Sequence, residues 1–150
     1  MAYVLVAAIY LVIGLQPANA EGYEIASQIS IPEIGLESDV AAVELAGKDL
    51  STPELIVGSF AGAKNKTLLL GHSTTVFREL WKLRRRDEII YDGRKYEVAK
   101  IEFLRKGQVR MSRVLKDETE ETLVLMTCAG ELLDGGDATH RLVLTATIKD

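Results

Sequence analysis

The chain holds a single cysteine, Cys128, at the end of the apolar, β-prone segment 122–127. A lone cysteine can form no internal disulfide and no multi-thiolate metal site, so Cys128 is either a small buried residue or a reactive thiol. The apolar segment predicts a strand, and Ala129-Gly130 predicts the end of that strand. Because rigid scaffolds often present reactive atoms where a strand meets a loop, this position favours the reactive thiol.

A cysteine nucleophile needs a partner that takes up its proton, and the chain offers two histidines, His72 and His140. His72 follows a buried apolar segment at a glycine-flanked corner, and His140 ends a loop rich in Gly and Asp. Arg141 comes next and carries several N–H donors, which suit a developing oxyanion. Antiparallel pairing of the strands that carry Cys128 and Arg141 predicts a cysteine, a histidine and an arginine at one end of the fold.

Simpler roles exist for all of these residues. Free cysteines are often buried in cores, a lone histidine after a strand is often a turn residue, and a lone arginine usually lies at the surface. The basic run at residues 84–86 is most simply a solvated helix end. A metal site is poorly supported, because zinc takes three or four protein ligands and no suitable spacing of Cys and His exists. These residues alone leave a catalytic and a structural role open.

Mainly β patterns run from residue 28 to the end of the chain, with predicted strands at residues 55–60, 67–70, 89–91, 96–103, 123–127 and 141–148. Asp92-Gly93 between two β-prone runs predicts a tight hairpin. A slip in the alternation that follows predicts a bulge near Ala99-Lys100. Many short strands with regular turn signals indicate an antiparallel barrel or sandwich.

The segments between these strands are less regular. Apolar residues recur at helical spacing over residues 75–83, which predicts a helix with Phe77, Leu80 and Trp81 on its apolar face. Residues 36–45 fit either a strand or a short helix. Residues 107–121 are polar with a few apolar residues, which predicts a short strand and a long loop.

Composition and the first twenty residues set the context. The chain has 150 residues, of which 47% are hydrophobic, so it suits one domain with one core. Its net charge of −4 argues against a general nucleic-acid binder. Residues 2–15 are almost wholly apolar, and Ala18-Asn19-Ala20 has the small residues that a signal peptidase reads. We therefore expect residues 1–20 to be a signal or membrane-anchor segment, with a buried helix as the alternative, and residues 21–150 to be an extracytoplasmic domain.

Five segments resemble the sortase family, and they occur in family order. One is the segment 77–89, which fits the family's helix and the strand that follows it. Residues 122–128 (TLVLMTC) resemble the Thr-Leu-x-Thr-Cys signature, with extra residues between the Thr-Leu and the Thr-Cys pairs. Residues 70–73 (LGHS) resemble the Gly-His segment after a buried strand, and residues 29–36 (ISIPEIGL) resemble the Ile-Pro-x-Ile-Gly-Leu opening. Residues 141–145 (RLVLT) resemble the arginine-led last strand.

This resemblance implies a closed, antiparallel, sortase-like β-barrel of about eight strands with one or two short helices. It also implies a cysteine transpeptidase that cleaves a Leu-Pro-x-Thr-Gly-like sorting signal of secreted proteins through a thioacyl enzyme. The new carboxyl end would join an amine of the cell envelope, on a peptidoglycan precursor or a pilin lysine. No cofactor, metal or nucleic acid is implied. The protein would be anchored to the outer face of the cytoplasmic membrane, or secreted.

Roles for single residues follow from the matching positions. Cys128 would attack the threonine carbonyl, and His72 would protonate the leaving amine and then deprotonate the incoming one. Arg141 would stabilise the oxyanion, and Thr127 would help to shape the substrate pocket. His140, beside Arg141, is a rival to His72 for the role of acid and base.

Two other functions remain open on the sequence. The first is an extracytoplasmic thiol hydrolase, which would release the acyl group to water even when an amine is added. The second is a non-catalytic cell-surface binding module that kept the barrel and a buried thiol. Cys128 would then resist alkylation in the folded protein.

Overall fold

The structure, a computed structural model, describes residues 21–46 and 49–149. The predicted signal or anchor segment at residues 1–20 lies outside the described residues. Within the described part of the chain, no helix has the length and apolar character needed to cross a membrane.

Strands dominate the described residues. In chain order they are β1 (Ile25–Ile31), β2 (Leu36–Ala42), β3 (Leu45–Ala46), β4 (Asp49–Leu50), β5 (Val57–Ala63), β6 (Lys66–Leu70), β7 (Glu88–Tyr91), β8 (Arg94–Arg105), β9 (Thr122–Leu132) and β10 (Ala138–Ile148). The helices are short: α1 spans Met111–Val114, and 3-10 helices span Pro32–Ile34, Leu80–Lys82 and Lys106–Gln108. Residues 36–42, for which the sequence left strand and helix open, form a strand.

Eight of the strands close into a barrel in the order β1-β2-β5-β6-β9-β10-β8-β7, which confirms the predicted closed barrel. Neighbouring strands in it are antiparallel except for two pairs, β2 with β5 and β6 with β9, which are parallel. Strands β3 and β4 form a separate two-stranded sheet. The parallel pairing of β6 and β9 brings the ends of these two strands to the same rim of the barrel.

Both faces of β9 are buried, each against a different apolar cluster. Leu123 and Leu125 point into the barrel interior, where every strand of the barrel contributes to one core. Val124 points outward into a second cluster with Leu68, Leu70 and Val143, and partly buried side chains pack over it, including Val114 and Leu115 from the connection between β8 and β9. Because side chains alternate along a strand, Cys128 falls on the same outward face as Val124.

The connection between β8 and β9 is held down by a buried lysine. Lys66 on β6 ion-pairs with Glu118 at 3.2 Å, and its Nζ donates to the carbonyl of Arg113 at 3.4 Å. The connection contains a 3-10 helix and α1 but no strand, so the short strand predicted within residues 107–121 was wrong. Its isolated apolar residues cover the outward cluster instead of pairing with a neighbour.

The helix predicted over residues 75–83 was also wrong. These residues form successive turns and the 3-10 helix Leu80–Lys82, with backbone hydrogen bonds from Leu80 to Phe77 and from Leu83 to Leu80. Phe77, Leu80 and Leu83 are buried in the barrel interior, whereas Trp81 is 69% exposed. A spacing of three residues suits the 3-10 helix, which has three residues per turn, and it leaves Trp81 on the outside.

Two local predictions are confirmed. Tyr91 pairs with Arg94 across the two-residue loop, where Asp92 and Gly93 have φ of 50° and 74° as a type I′ turn requires. Thr145 pairs with Lys100 and the next residue of β10 pairs with Val98, so Ala99 is the extra residue of a bulge.

Strand β9 does not end at Cys128, and the break predicted at Ala129-Gly130 was wrong. It continues to Leu132, and the register with β10 shifts between the pairs Ala129–His140 and Leu132–Ala138. Gly130 accommodates this irregularity with φ of 80°. Pairing with β10 therefore outweighs the poor strand propensity of glycine, and Cys128 lies within a strand.

We expect Gly130→Ala to destabilise the hairpin between β9 and β10 more than Gly135→Ala does. Both glycines have a positive φ, but a Cβ at Gly130 would lie 2.4 Å from Thr139 Oγ1 and 2.5 Å from His140 Nδ1, whereas none of the chain lies within 4 Å of one at Gly135. Denaturant unfolding should show a loss of about 1 kcal/mol for Gly135→Ala and about 2–3 kcal/mol for Gly130→Ala. Equal losses would show that the close contact with Thr139 and His140 has no energetic weight.

Candidate active site

Cys128 and Arg141 are direct partners across the antiparallel pair β9–β10. Side chains of directly opposed residues in such a pair have Cβ atoms about 5 Å apart and lie on the same face of the sheet. Cys128 is a free, half-buried thiol, and the side chain of Arg141 is 16% exposed. The strand register thus puts Cys128 and Arg141 opposite each other on the outer face of the barrel, and their catalytic roles stay a prediction.

His72 reaches the same level from the other side of β9. Strand β6 pairs with β9 up to Leu70–Met126, and the Gly71 N–H continues the alignment by donating to the carbonyl of Met126 at 3.4 Å. The paired register ends there, and one further step along both chains leads to His72 and Cys128; neighbouring strands are about 4.8 Å apart. Since β9 lies between β6 and β10, Cys128 is central, with His72 on one side and Arg141 on the other.

Thr127 fixes the corner before His72. Its hydroxyl donates to the carbonyl of Gly71 at 2.7 Å, and the side chain is buried. The carbonyl of His72 in turn accepts the backbone N–H groups of Thr75 and Phe77 at 3.2 and 3.1 Å. Gly71 is needed for close approach, because a Cβ there would meet the Phe77 ring at 2.5 Å. The backbone on both sides of His72 is therefore constrained, and contact of Thr127 with a substrate stays a prediction.

His140 belongs to the opposite face of the sheet. It pairs with Ala129, one position along from Cys128, and side chains alternate between faces. Its ring stacks on Phe103 with centroids 4.5 Å apart and an interplanar angle of 10°, and its Nδ1 lies 2.7 Å from Thr139 Oγ1. Of the two histidines weighed from the sequence, this geometry favours His72 as the partner of Cys128.

The guanidinium of Arg141 is held from three directions. Its Nη1 donates to the carbonyls of Ala138 at 3.0 Å and His140 at 2.9 Å, and its Nη2 donates to Asp137 Oδ1 at 2.8 Å. An arginine has five N–H donors, so two remain for another acceptor. The side chain is both pre-oriented and able to bind a further oxygen.

Asp137 is a member of the site that sequence reasoning missed. Its second carboxylate oxygen ion-pairs with Lys106, the first residue after β8, so the carboxylate joins two loops. Lys106, the N–H of Ala138 and Arg141 together hold the pKa of Asp137 well below its usual range, so it is ionised in all but strong acid. The sequence shows an acid four residues before Arg141, but it also shows Asp134 in the same loop and gives no reason to choose between them.

Other concave surfaces lie apart from these residues. A cavity of about 660 Å³ lies between β2 and residues 74–79, and a second of about 530 Å³ lies between β1 and β2. Neither is lined by Cys128, His72 or Arg141. In the part of the chain that the structure describes, no three Cys, His, Asp or Glu side chains are arranged to hold a metal ion.

A family model described as Sortase domain matches residues 29–149, which is most of the chain. The chain belongs to the sortase family. The match contains all eight barrel strands except the start of β1, together with Cys128, His72 and Arg141. A search of curated proteins found no match to this sortase.

Solved structures of sortases share its fold. Sortase A from Corynebacterium diphtheriae has a TM-score of 0.68 and 24% identity, over 85% of this chain and 62% of that one. Sortase C-1 from Actinomyces oris has a TM-score of 0.64 and 23% identity, over 84% of this chain and 72% of that one. The pilus-related sortase C of Group B Streptococcus has a TM-score of 0.65 and 22% identity, over 85% of this chain and 68% of that one. This sortase thus spans less than two thirds of the Corynebacterium chain.

The two histidines should differ in their effect on the reactivity of Cys128. We expect His72→Ala to slow modification by a methanethiosulfonate at neutral pH by about tenfold or more, because the thiol loses its neighbouring base. His140→Ala should change the rate by less than about twofold, because His140 lies on the opposite face. Mass spectrometry of the folded protein over time gives the rates, with thermal unfolding as the control for folding. A larger effect of His140→Ala would overturn the assignment.

Proposed function

We propose that this sortase is a cysteine transpeptidase in which Cys128 is the nucleophile, His72 the general acid and base, and Arg141 the oxyanion donor. The single observation that carries the proposal is the central position of Cys128 on β9. Its cross-strand partner is Arg141, and on the other side the hydroxyl of Thr127 holds Gly71, the residue before His72. Thiol, imidazole and guanidinium together suit acyl transfer.

In the first half of the reaction, the sulfur of Cys128 attacks the carbonyl carbon of the peptide bond that is cleaved. The thiol proton passes to His72, and the carbonyl electrons move onto oxygen. The two free N–H donors of Arg141 stabilise this oxyanion, a contribution of about 3–4 kcal/mol for a well-placed donor. His72 then gives its proton to the leaving amine, the C–N bond breaks, and a thioester remains on Cys128.

In the second half, an amine takes the place of the departed one. His72 removes its proton as the nitrogen attacks the thioester carbonyl, and Arg141 again binds the oxyanion. The C–S bond breaks, the thiol is restored, and a new amide bond holds the acyl group. Atoms balance over the cycle without a cofactor, because one amide is exchanged for another. With water in place of the amine, the same steps make the enzyme a thiol peptidase.

The substrate would be the sorting signal of a secreted protein, with a Leu-Pro-x-Thr-Gly-like sequence. Support comes from the outward-facing apolar cluster on the strands around Cys128, where Met126 of β9 and Leu104 of β8 are partly buried. An extended peptide with an apolar residue fits such a surface better than a charged one does.

The acceptor would be an amine of the cell envelope, on a peptidoglycan precursor or a pilin lysine. The likeness to a pilus-related sortase C supports the pilin lysine as one option. The sortase family is extracytoplasmic and membrane-associated, and we propose the same location for this member. Residues 1–20 would anchor it to the outer face of the cytoplasmic membrane or, if they are cleaved, release it.

A labelled Leu-Pro-x-Thr-Gly-type peptide tests the reaction. We expect the enzyme to cleave it and Cys128→Ala to lose about 1,000-fold or more in kcat/KM, with a Tm within about 2 °C of the parent. Added amine should shift the product from acid to amide, as measured by mass spectrometry. A product that stays acid at every amine concentration would indicate a thiol hydrolase. No cleavage, with unchanged peptide binding by Cys128→Ser, would indicate a binding module.

Asp137→Ala should lower kcat about tenfold, because Arg141 loses a charge-assisted hydrogen bond that orients it. The matched control is Asp134→Ala, which removes an acid from the same loop and should leave kcat within about twofold. Because the pKa of Asp137 is lowered, its ionised carboxylate holds Arg141 at every pH above about 4, the usual pKa of an aspartate. This hold is lost only on stronger acidification. The ratio of kcat for Asp137→Ala to kcat for Asp134→Ala should therefore stay constant from about pH 5 to 9. Equal rates for both variants would exclude a role of Asp137 in positioning Arg141.

A further inference from the structure

The segment that follows His72 has two contrasting sides. Phe77, Leu80 and Leu83 fill the barrel interior. The exposed side chains of the same short stretch form what we call the basic Trp81 surface: Arg78, Trp81, Lys82, Arg84, Arg85 and Arg86. None of these residues contributes to the barrel core or to the site around Cys128.

This surface is positively charged, although the chain as a whole has a negative net charge. Residues 78–86 hold five cationic residues and one acidic residue, Glu79, in a chain whose net charge is −4. Glu79 pairs with Lys82 at 3.2 Å. Within the described residues no ion pair involves Arg78, Arg84, Arg85 or Arg86.

The acids that follow this surface are already engaged. Asp87 accepts the backbone N–H of Arg84 at 2.7 Å, and Glu88 ion-pairs with Lys149 at 3.7 Å. Arg85 and Arg86 line one cavity together with Glu97, yet the described residues show no ion pair to these arginines, so their guanidinium groups can bind an anion from outside the chain. Arginine suits phosphate in particular, because its planar guanidinium can donate two parallel hydrogen bonds to phosphate oxygens.

Trp81 gives the surface a second property. It is the only tryptophan of the chain and is 69% exposed, with Lys82 Nζ 5.6 Å from the centre of its ring. Tryptophan prefers the interface between water and lipid, where its ring meets the acyl boundary and its N–H meets the headgroups. An exposed tryptophan among arginines therefore fits a lipid surface better than it fits a soluble polyanion, for which charge alone suffices.

We propose that the basic Trp81 surface docks on the anionic phosphate headgroups of a lipid bilayer, with the Trp81 ring at the level of the acyl boundary. The occupant follows from charge complementarity and from the exposed ring. The surface begins six residues after His72, and Thr75 and Phe77 bind the His72 carbonyl. Docking would therefore set the orientation of this rim of the barrel toward the membrane.

The 150-residue chain carries its own reporter, because Trp81 is its one tryptophan and lies on this surface. We compare vesicles of phosphatidylcholine with vesicles of equal parts phosphatidylcholine and phosphatidylglycerol, each with and without brominated acyl chains. We expect a blue shift and bromine quenching with the anionic vesicles only. About 0.5 M NaCl should reverse both, because it shortens the screening length to about 4 Å. Residues 1–20 contain no tryptophan, so insertion of that segment would not alter the signal directly.

A triple substitution, Arg84→Gln with Arg85→Gln and Arg86→Gln, should lower bromine quenching by about twofold or more. The control of equal charge is Lys64→Gln with Arg113→Gln and Lys116→Gln, which lie near the start of β6, whereas the basic Trp81 surface follows its end. This control should quench like the parent. Both variants should keep their activity on soluble peptide, which separates this proposal from the proposed function.

Three results would overturn the proposal. One is unchanged Trp81 emission with anionic vesicles, and another is equal loss of quenching in the two triple variants. The third is a shift of Trp81 emission with soluble polyphosphate but not with vesicles, which would assign the surface to a soluble polyanion.

Discussion

The parallel pairing of β6 with β9 is the constraint on which the candidate site depends. It aligns the end of β6 with the middle of β9, and the hydrogen bond from Thr127 to Gly71 extends the alignment to the corner before His72. The antiparallel pair β9–β10 then supplies Arg141 opposite Cys128 by register alone. The register of β9 with β10 and the tie at Gly71 therefore fix where Cys128, Arg141 and the corner before His72 lie in the sheet.

The surroundings of Arg141 add a second constraint. Two backbone carbonyls and one carboxylate hold three of its donors, and the carboxylate is itself shared with Lys106. A guanidinium oriented in this way loses less side-chain entropy when it binds an oxyanion. Since Lys106 begins the connection to β9, this network also joins that connection to the hairpin that carries Arg141.

Sequence reasoning predicted the features that depend on few neighbouring residues. The Asp92-Gly93 turn and the bulge at Ala99 follow from positive φ and from alternation, which are local properties. Residue patterns proposed Cys128, Arg141 and either of two histidines on a barrel or a sandwich, and the family resemblance then selected the closed barrel and His72. Features that depend on tertiary pairing were missed. Gly130 lies within β9 because β10 pairs beyond it, and residues 75–83 form turns because Phe77, Leu80 and Leu83 must enter the barrel at three-residue spacing. Asp137 and Asp134 look alike in sequence, and only the fold distinguishes them.

The tie between Gly71 and Thr127 spans 56 residues of chain, which has a consequence for how the protein acquires its chemistry. Closing such a long loop costs entropy that is recovered only when the strands dock, and contacts of this kind form slowly. A nascent or partly folded chain therefore carries Cys128 without its histidine neighbour. On the proposed mechanism, the thiol of Cys128 would gain its base only when the barrel is complete, so an unfinished chain would react more slowly with acylating compounds.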